Sequence, residues 1–136
     1  MHEYALAEAV VETVKREMAK RNAEGLVSVT LSLGELQNVD EEIFLAGLQL
    51  HLEGEPFDPS IFRLVKEPAV FSCRGCGGRW ELADFPGITE RDKEAIHFVP
   101  ETARVYLSCP TCGSRDLHLE KGRGVYIQSM EVLAET

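Results

Sequence analysis

The sequence predicts an α+β fold: two helices packed on a small mixed three-stranded sheet, with a cysteine-knuckle domain inserted into it. Three patterns carry that expectation. Residues 1–68 run helix, strand, helix, strand. Four cysteines follow as two close pairs, Cys73/Cys76 and Cys109/Cys112. After them, Val125–Leu133 reads as one more strand. A lone strand is not stable in water, so it must return to the first sheet. That makes 69-123 an insertion and leaves 1-68 plus 124-136 as one α/β domain.

Residues 4–22 read as an amphipathic helix. Leu6, Ala7, Val10, Val11, Val14 and Met18 recur at helical spacing, and Glu8, Glu12, Lys15, Arg16 and Glu17 lie mostly on the other side. Asn22 to Gly25 ends the helix. Residues 26–33 alternate strictly, which puts Val27, Val29, Leu31 and Leu33 on one face of a half-buried strand. Gly34 breaks it. Asp40 then caps a second helix to about Glu53, with Glu41 and Glu42 in the first turn, where the helix dipole favours acids. Phe44, Leu48 and Leu52 form its inner face. A turn with glycine and two prolines at 54–59 leads into a second strand, Ile61–Lys66. The β-α-β order permits a parallel pair with a right-handed crossover. Pro68 closes that block, and Lys121-Gly122-Arg123-Gly124 reads as a hinge-like loop before the last strand.

The cysteines carry the clearest chemistry. A two-residue gap lets both thiolates of one turn face a single ion, and two such turns make a closed tetrahedral cage. Gly77 and Gly113 each follow a second cysteine, where the turn must relax past a crowded metal. Cys109-Pro110-Thr111-Cys112-Gly113 is a zinc-knuckle string. This donor set suits structural zinc in a zinc-ribbon-like module. Adjacent Cys-x-x-Cys disulfides are strained, and no secretory segment is present, so two disulfides are the weaker reading. Iron fits the same cage on spacing, as in a rubredoxin-like electron carrier. The stretch between the pairs, 77–108, exceeds the ~15–20 residues of compact two-knuckle sites. Within it, Thr89-Glu90-Arg91-Asp92 reads as a capping box opening a short helix to about Ala95.

Composition narrows the partners. The formal charge is −9, and a zinc bound to four thiolates makes it more negative still. Nucleic-acid binders present basic surface, so this balance points away from nucleic acid and toward cations or a basic protein partner. The longest apolar runs are too short to span a membrane, and the N-terminus lacks the pattern of a secretory signal. A reducing cytoplasm is the expected setting for unpaired thiolates.

The chain begins Met1-His2-Glu3. A free α-amine, the amide nitrogen of His2 and its imidazole can close adjacent chelate rings around one ion. That planar nitrogen set suits Ni(II) or Cu(II) and fits tetrahedral zinc poorly. Glu3 can add an oxygen or charge.

Several motifs together resemble the HypA family of hydrogenase-maturation nickel metallochaperones. They are Met1-His2-Glu3 opening an amphipathic helix, Gly34-Glu35-Leu36 after the first strand, the paired knuckles, and a closing Gly122-Arg123-Gly124 strand. The resemblance covers the whole chain, and the long loop 77–108 is similar to archaeal members. It implies an α/β nickel-binding domain and an inserted structural zinc domain. It implies delivery of Ni(II) to a [NiFe]-hydrogenase precursor with a HypB-type nucleotidase. His2 is the implied nickel ligand, with Met1 and Glu3 beside it, and Cys73, Cys76, Cys109 and Cys112 hold zinc. His97, in the long loop where archaeal relatives carry a similar histidine, is a possible further nickel ligand. His51 and His118 read as ordinary surface or helix-end histidines, and nothing in the sequence places Glu35 or Asp40 at a site. No P-loop and no nucleophile–base pair is present, so the chain reads as a carrier and not an enzyme. The alternative function is a zinc-ribbon adaptor that binds protein or nucleic acid.

Overall fold

A computed structural model describes residues 2–134. In chain order its main elements are α1 (Glu3–Lys20), β1 (Gly25–Gly34), α2 (Glu41–His51), β2 (Phe62–Glu67), β3 (Val70–Cys73), β4 (Arg79–Glu81), α3 (Glu90–Phe98), α4 (Ala103–Tyr106), β5 (Leu117–Lys121) and β6 (Val125–Leu133). The fold is α+β, as the sequence predicts. The chain divides into two compact units, residues 1–33, 39–65 and 125–136 in the first, and residues 34–38 and 66–124 in the second.

In the first unit the strand order is β2-β1-β6, and β6 pairs antiparallel with β1. The strand that follows the cysteines therefore does return to the first sheet. The α1 stripe buries Ala7, Val10, Val11 and Val14. Its end is a Schellman motif built on Asn22, whose φ of 50° is left-handed. Ala23 N–H donates to the Met18 carbonyl at 3.0 Å and Asn22 N–H to the Ala19 carbonyl at 3.3 Å. Helix α2 starts where Asp40 predicts, because Ile43 N–H donates to the Asp40 carboxylate at 3.2 Å. Phe44, Leu48, Val29, Leu31 and Val14 form the sealed centre of this core.

Strict alternation fails at both ends of β1: Ser32, expected on the outer face, is buried, and so are Leu31, Leu33 and Gly34. Val27, predicted to face the core, is 44 % exposed. The β1–β6 register runs from Leu26↔Val132 to Ser28↔Glu131, so Val27 is the extra residue of a bulge and loses its place in the alternation.

Helices α1 and α2 pack closely at Gly47. A Cβ there would lie 2.7 Å from Tyr4 Cδ1 and 3.0 Å from Ala7 Cβ. Any side chain must part the helices. Gly47→Val is expected to lower stability by about 1–3 kcal/mol, read by thermal or urea unfolding, with zinc content unchanged. Equal stability would show that the helices are not in close contact there.

In the second unit the order is β4-β3-β5, with both pairs antiparallel. Helix α3 opens on a full capping box: Asp92 N–H donates to Thr89 Oγ1 at 3.1 Å and Thr89 N–H to the Asp92 carboxylate at 3.2 Å. It continues to Phe98, three residues past the predicted end. The core gathers Phe71, Leu82, Phe85, Ile96, Leu107 and Leu117 around Cys73 and Cys109. Phe71 meets Phe85 edge-on, with centroids 5.8 Å apart. The loop read as hinge-like is closely bonded within this unit. Gly34 N–H donates to the Gly124 carbonyl and Leu36 N–H to the Gly122 carbonyl, both at 2.8 Å. Gly122 N–H donates to the Glu67 carboxylate at 3.0 Å, and Ala69 N–H to that of Glu35 at 2.8 Å.

Candidate metal centres

Two matching turns present the cysteines. In the first, Gly77 N–H donates to the Cys73 carbonyl and Cys73 N–H to the Gly78 carbonyl, both at 2.8 Å. In the second, Gly113 N–H donates to the Cys109 carbonyl at 2.9 Å and Cys109 N–H to the Ser114 carbonyl at 2.8 Å. Gly77 and Gly113 have φ of 77° and 75°, a left-handed conformation that glycine adopts without penalty. This is the relaxation expected of a residue just past the second cysteine.

The four Sγ atoms lie within 4.8 Å of one another. Cys73 and Cys112 are 3.5 Å apart, and Cys76 and Cys109 are 3.6 Å apart. A zinc ion with bonds of about 2.3 Å holds tetrahedral sulfurs about 3.8 Å apart. All four thiols are free of disulfides. The arrangement fits zinc, and among the described residues it is the one group of three or more metal donors gathered within reach of an ion. Bound there, the ion ties β3 to the 109–112 turn through the two buried cysteines, Cys73 and Cys109.

Backbone amides tune the sulfurs unequally. Cys73 receives N–H bonds from Cys76 and Gly75, and the first of these holds its thiol below the ordinary value. The Cys112 N–H, helped by Thr111 and opposed by burial, brings the Cys109 thiol down to about 6. Each second cysteine takes one amide. The Gly78 N–H lowers Cys76, but the Cys109 sulfur and burial outweigh it and leave the thiol raised. The Ser114 N–H lowers Cys112, yet the Cys73 sulfur and burial push it up to about 11. Zinc takes all four as thiolates, so it must expel the protons that Cys76 and Cys112 hold. Zinc affinity is therefore expected to weaken as pH falls from about 8 to about 6, measured by competition with a colorimetric chelator. An affinity flat across that range would contradict this proton balance.

The residues predicted for nickel are placed differently. Met1 lies outside the described residues. His2 is exposed and precedes α1, where its carbonyl accepts Leu6 N–H at 2.9 Å and its side chain makes no capping bond. Glu3 is buried at the first position of α1. Asp40 N–H donates to Glu3 Oε1 at 3.4 Å, so the start of α2 lies against the start of α1. Burial alone would raise the Glu3 pKa, but hydrogen bonds from its own N–H and that of Asp40 help hold it below the ordinary carboxylate value.

His97 lies in the last turn of α3, half-buried, with its ring 5.2 Å from that of Phe98. Its Nδ1 is sealed from solvent and has no hydrogen-bond partner. Burial lowers its pKa against the pull of Glu94. It borders a cavity of about 310 Å³ together with Glu35, Asn38, Glu90, Lys93 and Glu94. His118 is exposed on β5, with Nδ1 3.4 Å from an Arg74 nitrogen, and His51 sits in the last turn of α2. Sequence reasoning missed the cavity and the bonded role of Glu35. Neither leaves a periodic or motif signal, because both depend on which loops meet.

The family model described as "Hydrogenase/urease nickel incorporation, metallochaperone, hypA" matches residues 1–132. The chain is 42% identical over 136 residues to the "Hydrogenase maturation factor HypA" of Pyrococcus horikoshii, covering 99% of this chain and 98% of that one. It is 40% identical over 136 residues to the protein of the same name from Thermococcus onnurineus, with the same coverage. The solution structure of the Ni metallochaperone HypA from Helicobacter pylori shares the fold, with a TM-score of 0.64 at 20% identity, covering 99% of this chain and 100% of that one. The chain belongs to the HypA family of nickel metallochaperones that serve hydrogenase maturation.

Proposed function

We propose that this chain carries Ni(II) as cargo at its N-terminus and keeps zinc as a resident structural ion. The nickel-binding α/β domain is 1-68 plus 124-136, and 69-123 is the zinc domain. Nickel is held by the Met1 α-amine, the His2 amide nitrogen and the His2 imidazole, with Glu3 supplying oxygen or charge. The observation that carries this reading is His2 itself: an exposed imidazole with no capping bond, one residue before a buried, hydrogen-bonded glutamate. Three nitrogens in a plane suit Ni(II), and the cysteine cage suits zinc, so two metals sort to two donor sets.

The nickel is delivered to a [NiFe]-hydrogenase precursor together with a HypB-type nucleotidase, in the cytoplasm, and the chain itself catalyses nothing. A carrier must release its ion, so an open site at a chain end serves better than a cage. That site also sits at the positive end of the α1 dipole, which disfavours a cation and is partly offset by Glu3. No helix of the described residues is long and apolar enough to cross a membrane. A HypB-type partner that repositions the inserted domain would let His97 add one ligand to the nickel, and the lowered pKa of that ring favours the neutral form that can ligate.

Nickel titration of untagged protein, with and without a blocked α-amine, tests the chelate. Blocking is expected to abolish tight binding, and unchanged binding would contradict it. The same titration on His97→Ala, with a HypB-type partner and nucleotide present, is expected to show weaker nickel binding than wild type. Equal affinity would return His97 to a structural role.

A further inference from the structure

Trp80 is the one tryptophan of this chain. It stands on β4 opposite Phe71 of β3 and packs, half-buried, against the core of the second unit. Its indole Nε1 is sealed from solvent and has no hydrogen-bond partner. An indole N–H can only donate, and native structures rarely leave a buried donor unpaired.

What borders that nitrogen is the metal cage. A Cβ built on Gly78 would lie 3.0 Å from Trp80 Nε1 and 3.4 Å from Cys76 Sγ. The indole nitrogen and the cysteine sulfur thus flank the same small gap, which glycine alone leaves open. A zinc-bound thiolate is a charged acceptor, and Cys76 Sγ lies across that gap from the orphan donor.

The two knuckles correspond residue by residue: Cys73 with Cys109, Cys76 with Cys112, and Gly78 with Ser114. Each first cysteine receives two backbone N–H bonds, and each second cysteine receives one. Four residues past the second cysteine the match fails. The first knuckle has Trp80 there, and the second has Asp116, whose carboxylate lies 3.6 Å from Arg104. A carboxylate has no proton to give a sulfur.

We propose that the Trp80 indole N–H donates to Cys76 Sγ in the zinc-loaded cage, making Trp80 a positioning residue that quiets this thiolate and leaves Cys112 the most reactive of the four. Hydrogen bonds to a metal-bound thiolate draw charge from it, so the sulfur with fewer donors is the better nucleophile and leaves the metal first. Exposure does not produce this order by itself, since Cys76 and Cys112 are both exposed while Cys73 and Cys109 are buried.

Two measurements on the full chain test this. In protein loaded with cadmium-113 in place of zinc, the single indole proton is expected to show a coupling to the metal through Cys76 Sγ. Absence of that cross-peak overturns the proposal, and this arm needs no variant. In zinc-loaded protein, limited alkylation by iodoacetamide with mass mapping is expected to label Cys112 before Cys76. Trp80→Phe keeps the ring and removes the donor. It is expected to bind zinc in the same ratio and to raise the Cys76 labelling rate by about tenfold, the scale of lost outer-sphere hydrogen bonds. Labelling of Cys76 at the wild-type rate in Trp80→Phe overturns the proposal, because loss of packing alone would not spare that sulfur.

Discussion

Cys109→Ala is expected to strip the chain of its zinc and to unfold residues 69–123. Cys109 is a cage sulfur and also part of the core, 2 % exposed beside Cys73, Phe71 and Leu117. The second unit is small, and its three strands hold three to five residues each. So small a module draws much of its stability from the ion. Structural zinc contributes apparent binding energies of about 10–16 kcal/mol to modules of this kind, and that energy is folding energy. Losing one of four ligands therefore removes more than a typical core truncation, which costs about 2–5 kcal/mol. Far-ultraviolet circular dichroism should keep the contribution of α1 and α2, while limited proteolysis should cut between 69 and 123. Unchanged zinc content and unchanged protease resistance would contradict the structural role of the ion.

His2→Ala is expected to do the opposite: nickel binding is lost while zinc and stability stay. The His2 side chain is exposed and outside the regular turns of α1, so little packing depends on it. Removing the imidazole opens the six-membered chelate ring and leaves only the five-membered amine–amide ring, so specific Ni(II) binding should fall below detection in calorimetry. In wild type, nickel affinity should weaken as pH falls, because protons compete with the metal for its nitrogen donors. Zinc content and melting temperature should match wild type. Wild-type nickel affinity in His2→Ala would remove the imidazole from the site.

Much of this was legible in the sequence, for physical reasons that differ by element. Helices α1 and α2 announced themselves by period and by caps, since Asp40 and Asn22 perform local jobs that need no tertiary partner. The cysteine cage was legible because a tetrahedral ion imposes its own spacing. Strand β6 was legible only through the argument that one strand cannot stand alone, and its pairing with β1 bears that out. What escaped was set by long-range contact. Val27 has the right residue type for the core, but a bulge takes it out. Strands β3 and β4 are too short to show a period, and the first knuckle holds them together. The turn at Glu35–Gln37 reads as an interruption after Gly34, yet Leu36 packs in the core of the second unit. The pairing of Trp80 with the Gly78 gap has no sequence motif at all.

The central claim is that two metals occupy two chemically distinct sites. Nickel K-edge absorption on untagged protein, holding zinc in the cysteine cage and loaded with equimolar nickel, tests it most directly. The account predicts a first shell of nitrogen and oxygen only, with imidazole scattering that disappears in His2→Ala. A nickel–sulfur shell, with zinc released into solution, would place nickel among Cys73, Cys76, Cys109 and Cys112 and contradict it.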